Sequence, residues 1–458
     1  MKKFTMIIFL GLSIIYLKAQ SIKIKLQEAY RKFEADSQLK HAISSLYVIE
    51  EKTGNVVFDK NSQIGLAPAS TQKIITAATA FELLGKDYRY KTIFTLDSNN
   101  LYVAGFGDPS FGSWRYDSFN DTTIFKNIID GLKQAKINQV NDLIVYDNDL
   151  NRIPPSTWIY EDIANYYGAP AREFNWHENQ YDLTFIPGKN PGDDAMIDTS
   201  ATIDWQMFIN NCKTGLPGSG DNCYIYFVPG SQFLYVDGTV PPGSKRFSIS
   251  GADISPAMSF SVSFKKYARA RNFLTSQSNG FTITPRKRSD SAIYKRALYT
   301  YYSPSLDTII YWFLQKSINL YGEALIKTLS SQRIGFDATD SGVMVVKDFW
   351  KRKGLDPEEL NIKDGSGLSP QNRMTTHAQV EILKYAKHQS WFPYFFNALP
   401  EYNNMKMKSG SISDVKGFCG YQAAGNGTQY IFSFLVNNFS GSSSSVINKM
   451  YKVLDVLK

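Results

Sequence analysis

A hydroxyl and an amine three positions apart, Ser70 and Lys73 in LAPASTQKIITAATAFELLG (66–85), carry the first chemistry legible in this chain. On a helix that spacing sets both side chains on one face, one turn apart. An amine able to take a hydroxyl's proton makes an activated serine nucleophile, and a helix N-terminus adds a field that favours developing negative charge. The helix follows from local signals. Pro68 and Ala69 lead into Ser70, a residue type favoured at helix starts, and Gly85 follows the last apolar residue. Ile74, Ile75, Ala77, Ala78, Ala80, Phe81, Leu83 and Leu84 leave almost no polar face, so the helix is expected to be buried on most sides. Lys73 is out of place in such a run. A buried ammonium must find polar partners or give up its proton more readily than a solvated one. The bare pattern S-x-x-K has little weight, because Ser37/Lys40, Ser263/Lys266 and Ser413/Lys416 repeat it; only Ser70 opens a long apolar helix. The reading without chemistry is a capped core helix whose lysine reaches for solvent.

Serine-lysine chemistry on an amide needs a proton for the leaving amine and donors for a peptide's terminal carboxylate. Ser317-Ile318-Asn319 sits where ALYTYYSPSLDTIIYWFLQKSINLYGEALIKTLS (297–330) breaks between two helical segments, so a loop there can aim both polar side chains into a cleft. Ser98 and Ser118 also begin S-x-N triads, in loop-like stretches. For the carboxylate, literal K-T-G occurs at Lys52 and at Lys213, the first in a hairpin turn and the second between two cysteines. Lys408-Ser409-Gly410 is the better candidate. It lies on an expected strand, which can present an ammonium, a hydroxyl and backbone donors together while glycine admits close approach.

The elements that must position these groups lie at the two ends of the chain. Residues 22–39 have helical periodicity, and ISSLYVIEEKTGNVVFD reads as a hairpin turning at Thr53-Gly54-Asn55. KDGSGLSPQNRMTTHAQVEILKYAKH gives a Gly-rich loop and a helix; strands 405–411, 417–424 and 428–437 and an amphipathic helix 445–457 close the chain. Both ends together are expected to form one antiparallel sheet with the serine helix against it. Residues 90–290 differ, being rich in aromatics, Gly, Pro and short strand-like runs, and read as inserted material.

The chain has 458 residues and 43% hydrophobic content, enough for two or three domains. MKKFTMIIFLGLSIIYLKAQ pairs Lys2 and Lys3 with an apolar stretch and a small residue at Ala19, the form of an export signal; the stretch is short for a membrane span. Cys212 and Cys223 flank the loop KTGLPGSGDN and are expected to pair as a disulfide, leaving Cys419 as a buried small hydrophobe. The net charge of +8 comes without a basic run, which excludes a nucleic-acid partner of the usual kind.

PASTQK, GFGDPSF, YYGAPAREFNWHEN, SINLYGEALIKTL, DGSGLS and KMKSGSISDVKGFCGY, in that order, resemble the blocks of the class C low-molecular-mass penicillin-binding proteins, the D-alanyl-D-alanine carboxypeptidases/endopeptidases. Ser409 stands for the usual Thr, and Phe106 lies in a block that is usually richer in Gly. The resemblance implies an α/β (α+β) fold, the penicillin-recognising serine transpeptidase/β-lactamase-like domain. It implies residues 1–20 as signal peptide, 21–90 and 291–458 as the catalytic domain, 91–175 with 250–290 as one inserted accessory domain and 176–249 as a second. By the same resemblance Ser70 is the nucleophile, Lys73 its base, Ser317 and Asn319 proton relay and substrate contact, and Lys408 with Ser409, Gly410 and Ser411 the carboxylate site. Asp162, in PSTWIYEDIANYYGAPA, falls where family members meet the amino end of the stem-peptide side chain. No cofactor and no metal is implied; the expected partners are peptidoglycan stem peptides and, as covalent inhibitors, β-lactams, in an exported, periplasmic protein without a stable membrane span in its mature form.

A β-lactamase shares these motifs, and a non-catalytic wall-binding module on the same fold is the alternative from another class. No G-x-S-x-G elbow and no H-E-x-x-H occurs, and His41, His177, His377 and His388 lie in ordinary contexts. The export reading has a direct test: intact mass of the exported protein before and after reduction should give a chain beginning near Ala19 to Ser21 with one disulfide, whereas retention of Met1, or free thiols at Cys212 and Cys223, counts against it.

Overall fold

The computed structural model describes residues 22–147, 154–198, 206–227, 233–243, 245–273, 281–285, 297–335 and 338–458. The expected export signal, 1–20, lies outside them. The chain separates into two compact units. One takes the chain up to Lys86, Ile310–Ser317 and Leu329–Lys458; the other takes Asp87–Ile309 and Ile318–Thr328.

In the first unit the two chain ends meet in one sheet of six strands, in the order Glu401–Tyr402, Met405–Ile412, Val415–Ala423, Gln429–Asn437, Ile43–Glu50, Val56–Lys60. Every pairing is antiparallel, with Ile43 opposite Asn437 and Glu50 opposite Tyr430 at the junction of the ends. The last long strand is apolar along nearly its whole length because both of its faces are covered. One face carries the helix 22–34 and the helix Ser443–Leu454, whose Leu26, Tyr30, Phe33, Val446 and Met450 close on Phe432, Phe434 and Val436. The other face carries the serine segment and the helix Thr376–Lys387.

The serine segment begins differently from the sequence expectation. Ala69–Gln72 is a 3₁₀ turn, and the α-helix proper is Lys73–Leu84, closed by Gly85 at φ 83°. Ser70 therefore sits inside the tight turn and makes no cap hydrogen bond of its own. The reason is packing: Gly410 of the neighbouring strand lies so close that a Cβ there would fall 2.5 Å from Pro68 O and 3.1 Å from Ser70 N. Gln379, fully buried, donates to Thr71 Oγ1 at 2.8 Å, and Thr71 donates to Pro68 O, which fixes the turn from the helix side. Lys73 to Phe81 are all buried, as the apolar run required, and Trp350 Nε1 donates to Thr79 Oγ1 further along.

Among the described residues, two large hydrophobic clusters fill the second unit. A mixed five-stranded sheet ordered Phe281–Thr284, Leu143–Tyr146, Asn100–Gly105, Lys91–Asp97, Ala297–Tyr302 packs with the helices Asp121–Gln134 and Pro256–Arg269 around Phe111, Phe125, Trp176 and Phe260. Leu183, Phe185, Ile225, Leu234 and Val236 form the other cluster, between two smaller sheets. Cys212 and Cys223 belong to it. Cys212 and Cys223, the pair expected to form a disulfide, lie buried with their sulfurs 2.9 Å apart, close enough for oxidation to join them. Among the described residues no helix is long and apolar enough to cross a membrane.

The sheet core should dominate the stability of the first unit. Phe434 is fully buried and meets Phe33 edge-on at 5.1 Å. Phe434→Ala should cost about 3–5 kcal/mol in urea unfolding, whereas Val56→Ala, on the edge strand and 51% exposed, should stay within about 0.5 kcal/mol.

Candidate active site

Within the first unit, Ser70 and Lys73 are joined directly. Lys73 Nζ lies 2.8 Å from Ser70 Oγ and donates to the backbone carbonyl of Ser366 at 2.7 Å. The lysine is fully buried, and its amine also stands 5.9 Å from the centre of the Phe313 ring. A buried ammonium is tolerable only with such acceptors around it, and an amine at this distance can take the serine's proton. The residue before the nucleophile, Ala69, has φ 46°, a left-handed conformation that costs a non-glycine residue about 1–3 kcal/mol and survives only when its surroundings impose it. The neighbouring strand and loop impose it here. Gly410 presses on Pro68 and Ser70 from one side; on the other, Gly367 at φ 82° approaches so closely that a Cβ would sit 2.0 Å from Ala69 O.

A second lysine-serine pair stands in the same unit. Lys408 Nζ donates to Ser317 Oγ at 3.0 Å and to Ser409 O at 2.8 Å. Lys408 is 1% exposed, and its burial pulls the amine down to about 7. The sign follows from desolvation, which penalises the charged form: the cost of burying Lys408 is full below pH 7, where it is charged, and fades as the pH rises toward the ordinary lysine value. Cys419 faces Lys408 across the strand pair, and burial pushes that thiol up, so it remains protonated. Ser317 has φ 56° in the break between the helices Leu306–Gln315 and Asn319–Ile334. The break expected from sequence is thus real, and its left-handed residue is the one that meets Lys408.

Ser70, Lys73, Ser317, Lys408, Ser409 and Gly410 are therefore gathered in one unit, with Ser409 half-buried beside the buried Lys408 and Gly410. Ser411 is exposed and accepts a hydrogen bond from Lys416. Asn319 and Asp162 belong to the second unit. Asn319 Nδ2 donates to Tyr167 O at 2.8 Å. Asp162 is in the short helix Tyr160–Ile163, where burial and the neighbouring Glu161 push its carboxyl up to about 6. The literal K-T-G lysines stand elsewhere: Lys52 is in the exposed hairpin turn, and Lys213 is an exposed residue paired with Asp194.

Sequence reasoning assigned no role to the loop that supplies Lys73's carbonyl acceptor. DGSGLS was legible as a Gly-rich loop, but a backbone carbonyl leaves no mark on residue type, so its part in the site emerges only from the fold. The same holds for Gln379 and Phe313, which a sequence presents as ordinary members of amphipathic helices. Among the described residues no three His, Cys, Asp or Glu side chains converge as a metal site.

Known proteins give this geometry a context. A D-alanyl-D-alanine carboxypeptidase of Actinomadura sp. strain R39 is 24% identical over 450 residues, covering 89% of this chain and 80% of its own. The crystal structure of penicillin binding protein 4 (dacB) from Haemophilus influenzae superposes with a TM-score of 0.77 at 17% identity, over 94% of this chain and 98% of its own. A complex of that protein with a β-lactam gives 0.71 at 16% identity, over 92% and 97%. These structures share the fold, an α+β domain of the penicillin-recognising type with insertions. The family model of the D-Ala-D-Ala carboxypeptidase 3 (S13) family matches residues 26–457, and the chain belongs to that family.

Proposed function

We propose that Ser70 is the nucleophile of this serine-type D-alanyl-D-alanine carboxypeptidase/endopeptidase, with Lys73 as its general base, acting on peptidoglycan stem peptides. The observation that carries the reading is the 2.8 Å contact between Lys73 Nζ and Ser70 Oγ in a buried setting. Ser70 Oγ attacks the carbonyl of the penultimate D-alanine while its proton passes to Lys73. The amide C–N bond then breaks as Ser317 relays the proton held by Lys73 to the leaving amine, with Asn319 as a substrate contact, and terminal D-alanine departs. Water hydrolyses the resulting ester and frees the serine. Lys408 and Ser409 hold the substrate's terminal carboxylate, and Gly410 and Ser411 line its path along the strand. Asp162, with its carboxyl raised by burial, would gain from an ammonium arriving at its side, which suits the amino end of a stem-peptide side chain.

The same reading takes β-lactams as covalent inhibitors, in keeping with the β-lactam bound to the Haemophilus influenzae protein. Ring opening leaves the amine tethered in the cleft, where it obstructs water, so the acyl-enzyme is long-lived. Such substrates exist in the bacterial wall, and we place the working protein outside the cytoplasm, in the periplasm, after export. Residues 21–90 and 291–458 are taken as the catalytic domain, with 91–175 plus 250–290 and 176–249 as two insertions; the two large hydrophobic clusters of the second unit agree with two insertions, while the strand Ala297–Tyr302 pairs with Lys91–Asp97 in that unit's sheet.

Time-resolved intact mass after mixing with penicillin tests the nucleophile. A single adduct on the Ser70 peptide should persist for many turnovers of a D-alanyl-D-alanine peptide, and Ser70→Ala should abolish both adduct and turnover. Lys73→Ala should slow acylation more than it weakens non-covalent binding. Rapid regeneration of free enzyme with multiple-turnover penicillin hydrolysis would point to a β-lactamase, and no adduct to a non-catalytic wall-binding module.

Lys408 yields a second test, with a defined pH window. Only its ammonium form holds a carboxylate by charge, and its amine lies at about 7, so kcat/KM for the peptide should fall as the pH rises through about 7. Lys408→Arg keeps its charge and should move that fall to higher pH. Lys408→Ala should lower kcat/KM by roughly two to three orders of magnitude, about 3–4 kcal/mol, while Lys52→Ala and Lys213→Ala leave it nearly unchanged. A dead Lys213 variant would overturn the assignment.

A further inference from the structure

We infer that Asp364 is a positioning residue for Lys73, acting through the 364–372 loop that it folds around its own carboxylate. The inference rests on the reading of Lys73 as the base of Ser70. Asp364 is fully buried, and a carboxylate in that position must be surrounded by donors. It has four. Oδ1 accepts from Gly367 N at 2.8 Å, from Asn372 Nδ2 at 3.0 Å and from Gln72 Nε2 at 3.1 Å; Oδ2 accepts from Ser369 N at 2.7 Å. Three of these donors belong to the loop itself, so the carboxylate takes the place of the hydrogen-bond ladder that a helix or strand would provide. The fourth belongs to the turn that carries Ser70.

Folded in this way, the loop turns successive backbone carbonyls toward the serine segment. Asp364 O accepts from Gln72 Nε2 at 2.6 Å, Gly365 O from Thr76 Oγ1 at 2.7 Å and Ser366 O from Lys73 Nζ at 2.7 Å. The positions bonded, 72, 73 and 76, lie on one side of a single helical turn. Gly367 completes the fit by lying flush against Ala69 O, with no room for a Cβ. Ser366 O is thus held where Asp364 puts it. One hydrogen of the Lys73 amine is committed to that carbonyl, which fixes the nitrogen's direction toward Ser70 Oγ and supplies an acceptor to the ammonium that forms when Lys73 takes the serine's proton. A displacement of about 1 Å at such a centre can cost a hundredfold in rate.

The test is pre-steady-state acylation by a chromogenic β-lactam, separated into a dissociation constant for the non-covalent complex and a rate constant for acylation. Asp364→Asn sets an amide N–H against one of the N–H donors that the carboxylate accepts. It should lower the acylation rate constant about 10- to 100-fold with the dissociation constant changed by less than about twofold. The acidic limb of the rate constant's pH profile should also move to lower pH, because loss of a carbonyl acceptor destabilises the ammonium relative to the amine. Gln72→Met removes the contact from the helix side and should act in the same direction by about 3- to 10-fold. A folded Asp364→Asn enzyme with wild-type acylation and an unmoved acidic limb, or with a loss confined to affinity, overturns the proposal. Should Asp364→Asn fail to fold, Gln72→Met decides alone, and an unchanged rate and limb overturn it. Lys73→Ala acylating at the wild-type rate would instead overturn the reading on which the proposal rests.

Discussion

An ammonium without water around it must be given acceptors, and the first unit of this protein is arranged to give them to Lys73. The helix that carries it is buried on every side through Phe81, so the lysine has no route to solvent from the helix itself. Its partners include a hydroxyl of the preceding turn, the Ser366 carbonyl and the face of Phe313, from elements separated by nearly three hundred residues of chain. Removing any of them would leave a buried charge undercompensated, which is costlier than never having buried it. That constraint explains why the turn before the helix is tight and why its neighbours are glycines.

Close approach of backbone to backbone is the means. Gly410 and Gly367 bring a strand and a loop against the turn at Pro68 to Ser70, and the turn answers with Ala69 in a left-handed conformation. Ser317, likewise left-handed, meets Lys408 from the break between two helices. Both deviations sit next to the groups that would do chemistry, where strain is retained because the packing over-determines it. Lys408 is a second buried amine. Its burial is not matched by a formal negative charge, so the amine yields its proton near neutrality and can respond to an arriving carboxylate.

Much of this was legible before any coordinates. The apolar run after Ser70 required a buried helix; Gly54 in the hairpin, the alternation in Met405–Ile412 and the unbroken apolar strand Gln429–Asn437 required a sheet built from both chain ends. Lys408 could be preferred over two literal K-T-G triads because it alone was expected on a strand; Lys213 in fact opens the two-residue strand Lys213–Thr214, where it is exposed. The start of the serine helix was misread by three residues, since a 3₁₀ turn and an α-helix share the same local residue preferences and differ here only through the pressure of Gly410.

Residue type and order determined which groups are candidates for the chemistry and which segments must be buried, because hydrophobic periodicity and turn residues act locally and leave a readable trace. Tertiary structure alone decided what each of those groups touches. The Ser366 carbonyl at Lys73, the contact of Gln72 with the Asp364 carboxylate and the pairing of Lys408 with Ser317 all depend on positions brought together from distant parts of the chain. A main-chain carbonyl is the same atom in every residue, so no reading of side chains can say which one will face a buried amine.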